Sequence, residues 1–143
     1  MKVIVTGHGH FATGLESTVK LLAGRLPNVG FIDFTGDMDE TSLRKKFEQA
    51  IRDTDQIVFF CDLLGGTPFK EAVKISSTIA DKKIAVITGC NIGSLMELGL
   101  QLSGYNGTAD ELAQKFVDIS RAQTQVFHRR KIETDTNGDS DGI

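Results

Sequence analysis

Short β-branched apolar runs alternate along this chain with stretches in which apolar residues recur every three or four positions. Val3–Thr6 reads as a first strand and Phe11–Ala23 as an amphipathic helix ending near Gly24. Pro27 and Asn28 mark a turn into a second strand, Val29–Phe34. Asp37 or Asp39 then caps a helix over Glu40–Arg52, with Leu43, Phe47 and Ile51 on one face. Gln56–Cys61 is the most apolar run and is expected to be the central strand. Thr67 and Pro68 open a helix to about Thr78, proline sitting in the first turn where its missing N–H does no harm. Ile84–Thr88 reads as a fourth strand, and Asn91 or Ser94 opens a helix to about Leu102. After a loop at Gly104–Gly107, Ala109–Phe127 reads as a last helix, or a helix followed by a short strand. Strand–helix alternation with short connections predicts one α/β domain on a parallel sheet. No repeat at solenoid spacing interrupts it.

Composition narrows the function classes. A chain of 143 residues with a formal charge of −3 can bury one sizeable core and carries no electrostatic footprint for nucleic acid. No stretch reaches the roughly 20 apolar residues of a membrane-spanning helix, and the start lacks signal-peptide organisation, so a cytoplasmic protein is expected. Cys61 and Cys90 each follow an apolar run and read as small hydrophobes in a reducing compartment. The polar residues 129–143 read as a disordered tail. Its Asn137-x-Asp139-x-Asp141-Gly142 resembles the start of a calcium loop but lacks the later glutamate and flanking helices.

Candidate chemistry lies where strands give way to helices. His8, between Gly7 and Gly9, falls at the carboxyl end of the first strand, where open α/β sheets bind ligands. Cys61-Asp62-Leu63-Leu64-Gly65-Gly66-Thr67-Pro68 repeats the strand–glycine–helix design and adds a carboxylate. If strands one and three are neighbours, with helices leaving to opposite faces, His8 and Asp62 meet at the topological switch point. A carboxylate on one imidazole nitrogen fixes the tautomer and leaves the other nitrogen as a nucleophile. Gly65, Gly66 and Thr67 offer amides and a hydroxyl as a cradle for a phosphoryl group. Gly9, His10, Leu64 and Asn91 are candidates for the site rim, with Thr88 nearby. Taken singly, each has an ordinary reading: a polar turn, a helix cap or a good helix start. His128, beside the basic residues that precede the tail, reads as a surface residue.

Four segments in order carry a family likeness: Val5-Thr-Gly-His8-Gly9, Val29-Gly-Phe-Ile-Asp-Phe34, Asp62-Leu-Leu-Gly-Gly-Thr-Pro-Phe69, and Ile87-Thr-Gly-Cys-Asn-Ile92. Over residues 1–128 the chain resembles the mannose-type enzyme IIA component of the bacterial phosphoenolpyruvate-dependent sugar phosphotransferase system. The resemblance implies a three-layer α/β sandwich: a mainly parallel sheet of order 2-1-3-4 with helices on both faces. It implies His8 as the phosphorylated residue, Asp62 as its partner and Thr67 beside the phosphoryl group. It further implies phospho-HPr as donor, a IIB component as acceptor, a link to membrane IIC and IID subunits, and no cofactor; with no partner domain after residue 143, the IIB component is expected on a separate chain. A homodimer is implied too, with Gln123–Phe127 the candidate for an added, antiparallel C-terminal strand exchanged between subunits. Phe11, Leu63, Leu64 and Phe69 are candidates for an apolar docking rim.

Two residues depart from the family pattern. Gly93 stands where proline is frequent and is expected to loosen that rim; His10 adds a second imidazole beside the site. Three other readings stay open. His8-x-His10 with Asp62 could bind zinc in a metallohydrolase, although a third histidine is not evident. A receiver-like signalling domain would need acidic residues after the first strand, where this chain has Gly-His-Gly. An IIA-like donor to dihydroxyacetone kinase shares the local chemistry.

Overall fold

The computed structural model describes residues 1–130. Four parallel strands form one sheet: β1 (Lys2–His8), β2 (Val29–Phe34), β3 (Gln56–Cys61) and β4 (Lys83–Thr88), in the order β2-β1-β3-β4. Five α-helices accompany them: α1 (Phe11–Ala23), α2 (Glu40–Ala50), α3 (Thr67–Thr78), α4 (Ile92–Gly99) and α5 (Ala109–Gln123). A single 3₁₀ turn, Leu102–Gly104, separates the last two, so the helix expected to reach Leu102 stops at Gly99.

Side-chain alternation along the strands divides the core into two layers. Val3, Val5, Val58, Phe60, Ala85 and Ile87 face α1, α4 and α5. Ile4, Ile57 and Phe59 face the other way, onto Leu43 and Phe47 of α2 and Ala72 and Ile75 of α3. Buried on both sides, β1 and β3 are continuous apolar runs, as a central parallel strand requires. The helices that follow β1 and β3 therefore leave to opposite faces, and the crevice between those strand ends is a topological switch point. The expected three-layer sandwich and the strand order are both present.

Caps fix where the helices begin. Asp39 Oδ1 accepts from the Ser42 N–H at 2.7 Å, which selects Asp39 over Asp37 as the cap of α2. Thr108 and Glu111 form a reciprocal capping box on α5. Residues 124–130 follow α5 as exposed irregular chain, so Gln123–Phe127 adds no strand to this sheet. A strand needs a neighbour with a free edge, and within one copy α5 ends with this segment unpaired. The calcium-like pattern at Asn137–Gly142 lies outside the described residues. No described helix is long and apolar enough to cross a membrane.

Among the described residues, one charged group sits in the core. Glu71 of α3 is fully buried, accepting from Arg44 Nη2 of α2 at 2.7 Å and from Lys74 Nζ at 2.9 Å. Burial works against its charge, but the bonds from Lys74 and Arg44 prevail and hold its carboxyl below the usual glutamate range. Arg44 and Lys74 remain half exposed, so losing the carboxylate strands no buried cation. Glu71→Gln is therefore expected to cost about 1.5–3 kcal/mol, the range for hydrogen bonds to charged groups, rather than the roughly 3–5 of a stranded charge. A lowered folded-state pKa gives stability that is present above the unfolded value, about 4.3, and lost as pH falls through the folded value. Urea unfolding of both proteins should show a gap at pH 7 that closes on acidification; a pH-independent gap would contradict this.

Candidate functional site

β1 and β3 end side by side, Thr6 opposite Cys61, and the Asp62 N–H donates to the Thr6 carbonyl at 3.1 Å. This register carries Asp62 level with Gly7, and Gly7 is what lets it lie there. A Cβ at position 7 would stand 2.8 Å from Asp62 Cβ and 2.5 Å from the Phe11 ring. With that space open, Asp62 Oδ2 reaches His8 twice, accepting from its backbone N–H at 2.9 Å and contacting Nδ1 at 2.8 Å. A carboxylate can only accept, so Nδ1 carries the proton and the neutral ring keeps its lone pair on Nε2. Asp62 Oδ1 is buried and has no hydrogen-bond partner among the described residues, so its carboxylate is turned wholly toward His8. The His8 side chain is 44% exposed and that of Asp62 15%: an accessible ring on a shielded carboxylate.

The ring is held on two further sides. Phe34 of β2 meets it edge-on, with centroids 5.9 Å apart. Gly66 lies against it so closely that a Cβ there would be 2.6 Å from Cε1 and 3.4 Å from Nε2. Gly66 is also the N-cap of α3, preceded by Gly65 at φ +77° and followed by Thr67 and Pro68 in the first turn. Nε2 thus sits beside the amino end of a helix, where unpaired amides and the helix dipole favour an anion. Leu63 and Leu64 stand exposed on the same loop.

Among the expected site residues, His8, Asp62 and Gly66 are in direct contact, and Gly65 and Thr67 flank Gly66. His10 is turned elsewhere: its Nδ1 lies 3.2 Å from Asp33 Oδ2. Asn91 spends its side chain on the start of α4, accepting from the Ser94 N–H and donating to the Ser120 carbonyl. The Gln123 carboxamide lies over Gly93, in the space a side chain there would take. Cys61 is buried behind the site, its thiol pushed up to about 12 by burial and by the charge of Asp62. Among the described residues no three His, Cys, Asp or Glu side chains are grouped to hold a metal ion. Local pattern gives Asp33 and Phe34 no place at the site; the register of β2 against β1, with His8 opposite Phe34, brings them there.

Comparison with known proteins places the fold in a family. The family model EIIA-man, described as the PTS system fructose IIA component, matches residues 2–118. The chain belongs to this family. The mannose-specific EIIAB component of Escherichia coli K12 is 32% identical over 135 residues, covering 92% of this chain and 41% of that protein. The chain thus spans about two fifths of the length of that relative. The fructose-specific EIIA component of Bacillus subtilis is 28% identical, covering 94% of this chain and 92% of that one. The crystal structure of the phosphotransferase system component EIIA from Streptococcus agalactiae matches with a TM-score of 0.81 at 33% identity, over 87% of this chain and 95% of that one.

The contact between Gly66 and the ring makes a direct prediction. Gly66→Ala keeps an ordinary φ of −71° but places its methyl group in the imidazole. The chain is expected to fold, by far-ultraviolet circular dichroism, while the His8 ring nitrogens in ¹⁵N NMR move toward a tautomer-averaged imidazole. An unchanged Nδ1–H spectrum would show that the ring does not need this glycine.

Proposed function

We propose that the chain is a phosphoryl carrier that accepts phosphate on His8 from phospho-HPr and passes it to a IIB component during sugar uptake. The observation that carries the reading is the bonding of His8: Nδ1 on a shielded Asp62 and Nε2 against Gly66 at the amino end of α3. The Nε2 lone pair attacks phosphorus of the donor phosphohistidine. The new N–P bond forms as the donor's N–P bond breaks, and the donor imidazole leaves with the electron pair. The Nδ1 proton stays on the ring, and Asp62 balances the positive charge that Nε2 substitution places there. The Gly66 amide is spent on the Leu63 carbonyl at 3.2 Å, so the phosphoryl oxygens are met by the amide and hydroxyl of Thr67 at the start of α3. Such a transfer passes through a loose transition state, for which positioning and charge stabilisation supply most of the catalysis. Onward transfer reverses the same steps toward a histidine of the acceptor.

Partners that meet briefly need only a small interface. Leu63 and Leu64, exposed beside His8, supply an apolar rim for it. The carrier would act in the cytoplasm, coupled to membrane IIC and IID subunits through IIB. Pairing into a homodimer belongs to the same reading, with Val126 and Phe127 covered by a second copy; sedimentation giving only a monomer would remove it. A metal-dependent hydrolase is disfavoured by His10, whose Nδ1 is engaged by Asp33 rather than directed to the His8–Asp62 pair.

Phosphate transfer from phosphoenolpyruvate through enzyme I and HPr tests the reading. Parent chain and His10→Ala are expected to take up an acid-labile, alkali-stable label, and His8→Ala none. Label that vanishes only with His10 would assign the wrong histidine; a parent chain that takes up none would overturn the carrier role.

A further inference from the structure

The amino end of α1 lacks a side-chain cap of its own. His10 occupies the N-cap position, and its side chain makes no capping bond. The cap arrives instead from β2. Asp33 Oδ1 accepts from the Thr13 N–H at 3.0 Å, the third amide of the helix and the one an N-cap side chain ordinarily takes. Asp33 Oδ2 accepts from the Thr13 hydroxyl at 2.6 Å and contacts His10 Nδ1 at 3.2 Å. The Asp33 side chain is 13% exposed, whereas that of His10 is 86% exposed, so the carboxylate is the fixed member of the pair. Burial opposes its charge, but the Thr13 hydroxyl and amide and the His10 imidazole hold its carboxyl below the usual aspartate range. A negative charge at this helix end is also favoured by the helix dipole.

The next residue of β2 acts on the same segment. The Phe34 carbonyl accepts from the Gly9 N–H at 2.8 Å, and the Phe34 ring meets the His8 imidazole. In the ladder Gly7 stands opposite Asp33 and His8 opposite Phe34. The loop carrying His8 is therefore gripped from both neighbouring strands, by Asp62 from β3 and by Asp33 and Phe34 from β2. Only Gly9 and His10 separate His8 from α1, and Gly9 is at φ +58°. A shift in the first turn of α1 passes straight into the turn that holds His8.

We infer that Asp33 is a positioning residue for phosphoryl transfer at His8, capping α1 from the neighbouring strand and so fixing the Gly9-His10 turn that aims the imidazole. The inference rests on the phosphoryl-carrier reading. Asp33 touches no reacting atom; it acts through Thr13, His10 and the start of α1.

The test compares Asp33→Ala, Asp33→Asn and His10→Ala in the full chain. Asparagine keeps a carbonyl oxygen that can accept from the Thr13 N–H, so it should restore most of what alanine loses. With saturating phospho-HPr, Asp33→Ala is expected to slow His8 phosphorylation about tenfold or more, as misplacement of a reacting group does. KM for phospho-HPr should stay within about twofold, since the docking surface is intact. His10→Ala loses the 3.2 Å contact but keeps both Thr13 bonds, so it should slow phosphorylation less than Asp33→Ala does. A second readout needs no donor: ¹⁵N NMR should show one Nδ1–H tautomer of His8 in the parent and Asp33→Asn, and averaging in Asp33→Ala. If Asp33→Ala does not fold, Thr13→Val, which removes only the hydroxyl bond, should show a smaller slowing and a partial change in the ring signal. A parental rate and ring spectrum in the variant that folds would overturn the inference, even if its thermal stability falls. A parent chain that takes up no phosphate would defeat the carrier reading, while the ring spectra would still decide whether Asp33 positions His8.

Discussion

The chemistry proposed for this molecule depends on one contact between residues 54 positions apart, the bond from His8 Nδ1 to Asp62 Oδ2. It exists because β1 lies between β2 and β3, so that the chain must cross over β1 on its way from β2 to β3. That crossover sends the helices after β1 and β3 to opposite faces and leaves the two strand ends open toward each other. The apolar faces of β1 and β3, packed on both sides, hold this arrangement against thermal motion. The carboxylate does not have to search for the imidazole; the sheet register delivers it.

Close approach sets the second constraint. Asp62 and Phe11 occupy space that any side chain at position 7 would need, and the imidazole occupies space that any side chain at position 66 would need. These two glycines serve packing more than backbone freedom, since neither has a positive φ, whereas Gly9 and Gly65 do. The site is thus a ring in a slot. Asp62 lies behind it, Phe34 at one side, Gly66 at another, and Nε2 is left as the nitrogen that can react.

Much of this was legible in the sequence. Five apolar-periodic stretches and four β-branched runs gave helices and strands close to those observed, and the His8 and Asp62 loops stood out by their glycines and their place at strand ends. Less local features were not legible. Asp33 looks like one polar residue in an apolar strand until its register places it opposite Gly7 and over the start of α1. Glu71 looks like an ordinary helix carboxylate until α2 brings Arg44 to it. Gln123–Phe127 has strand-like composition, but a strand requires an edge to pair with, and composition says nothing about where that edge is. At Gly93 the Gln123 carboxamide from the end of α5 occupies the space a side chain would take, a neighbour visible only in three dimensions. Local pattern finds elements and loops; partners supplied from another strand need the topology first.

Which nitrogen carries the phosphoryl group decides whether His8 and Asp62 work as proposed. Chain labelled with ¹⁵N-histidine and phosphorylated by phospho-HPr would give the answer from its ring-nitrogen shifts and phosphorus–nitrogen couplings. The geometry predicts phosphate on Nε2 of His8, with Nδ1 still protonated toward Asp62. Phosphate on Nδ1, or on any residue other than His8, would contradict it.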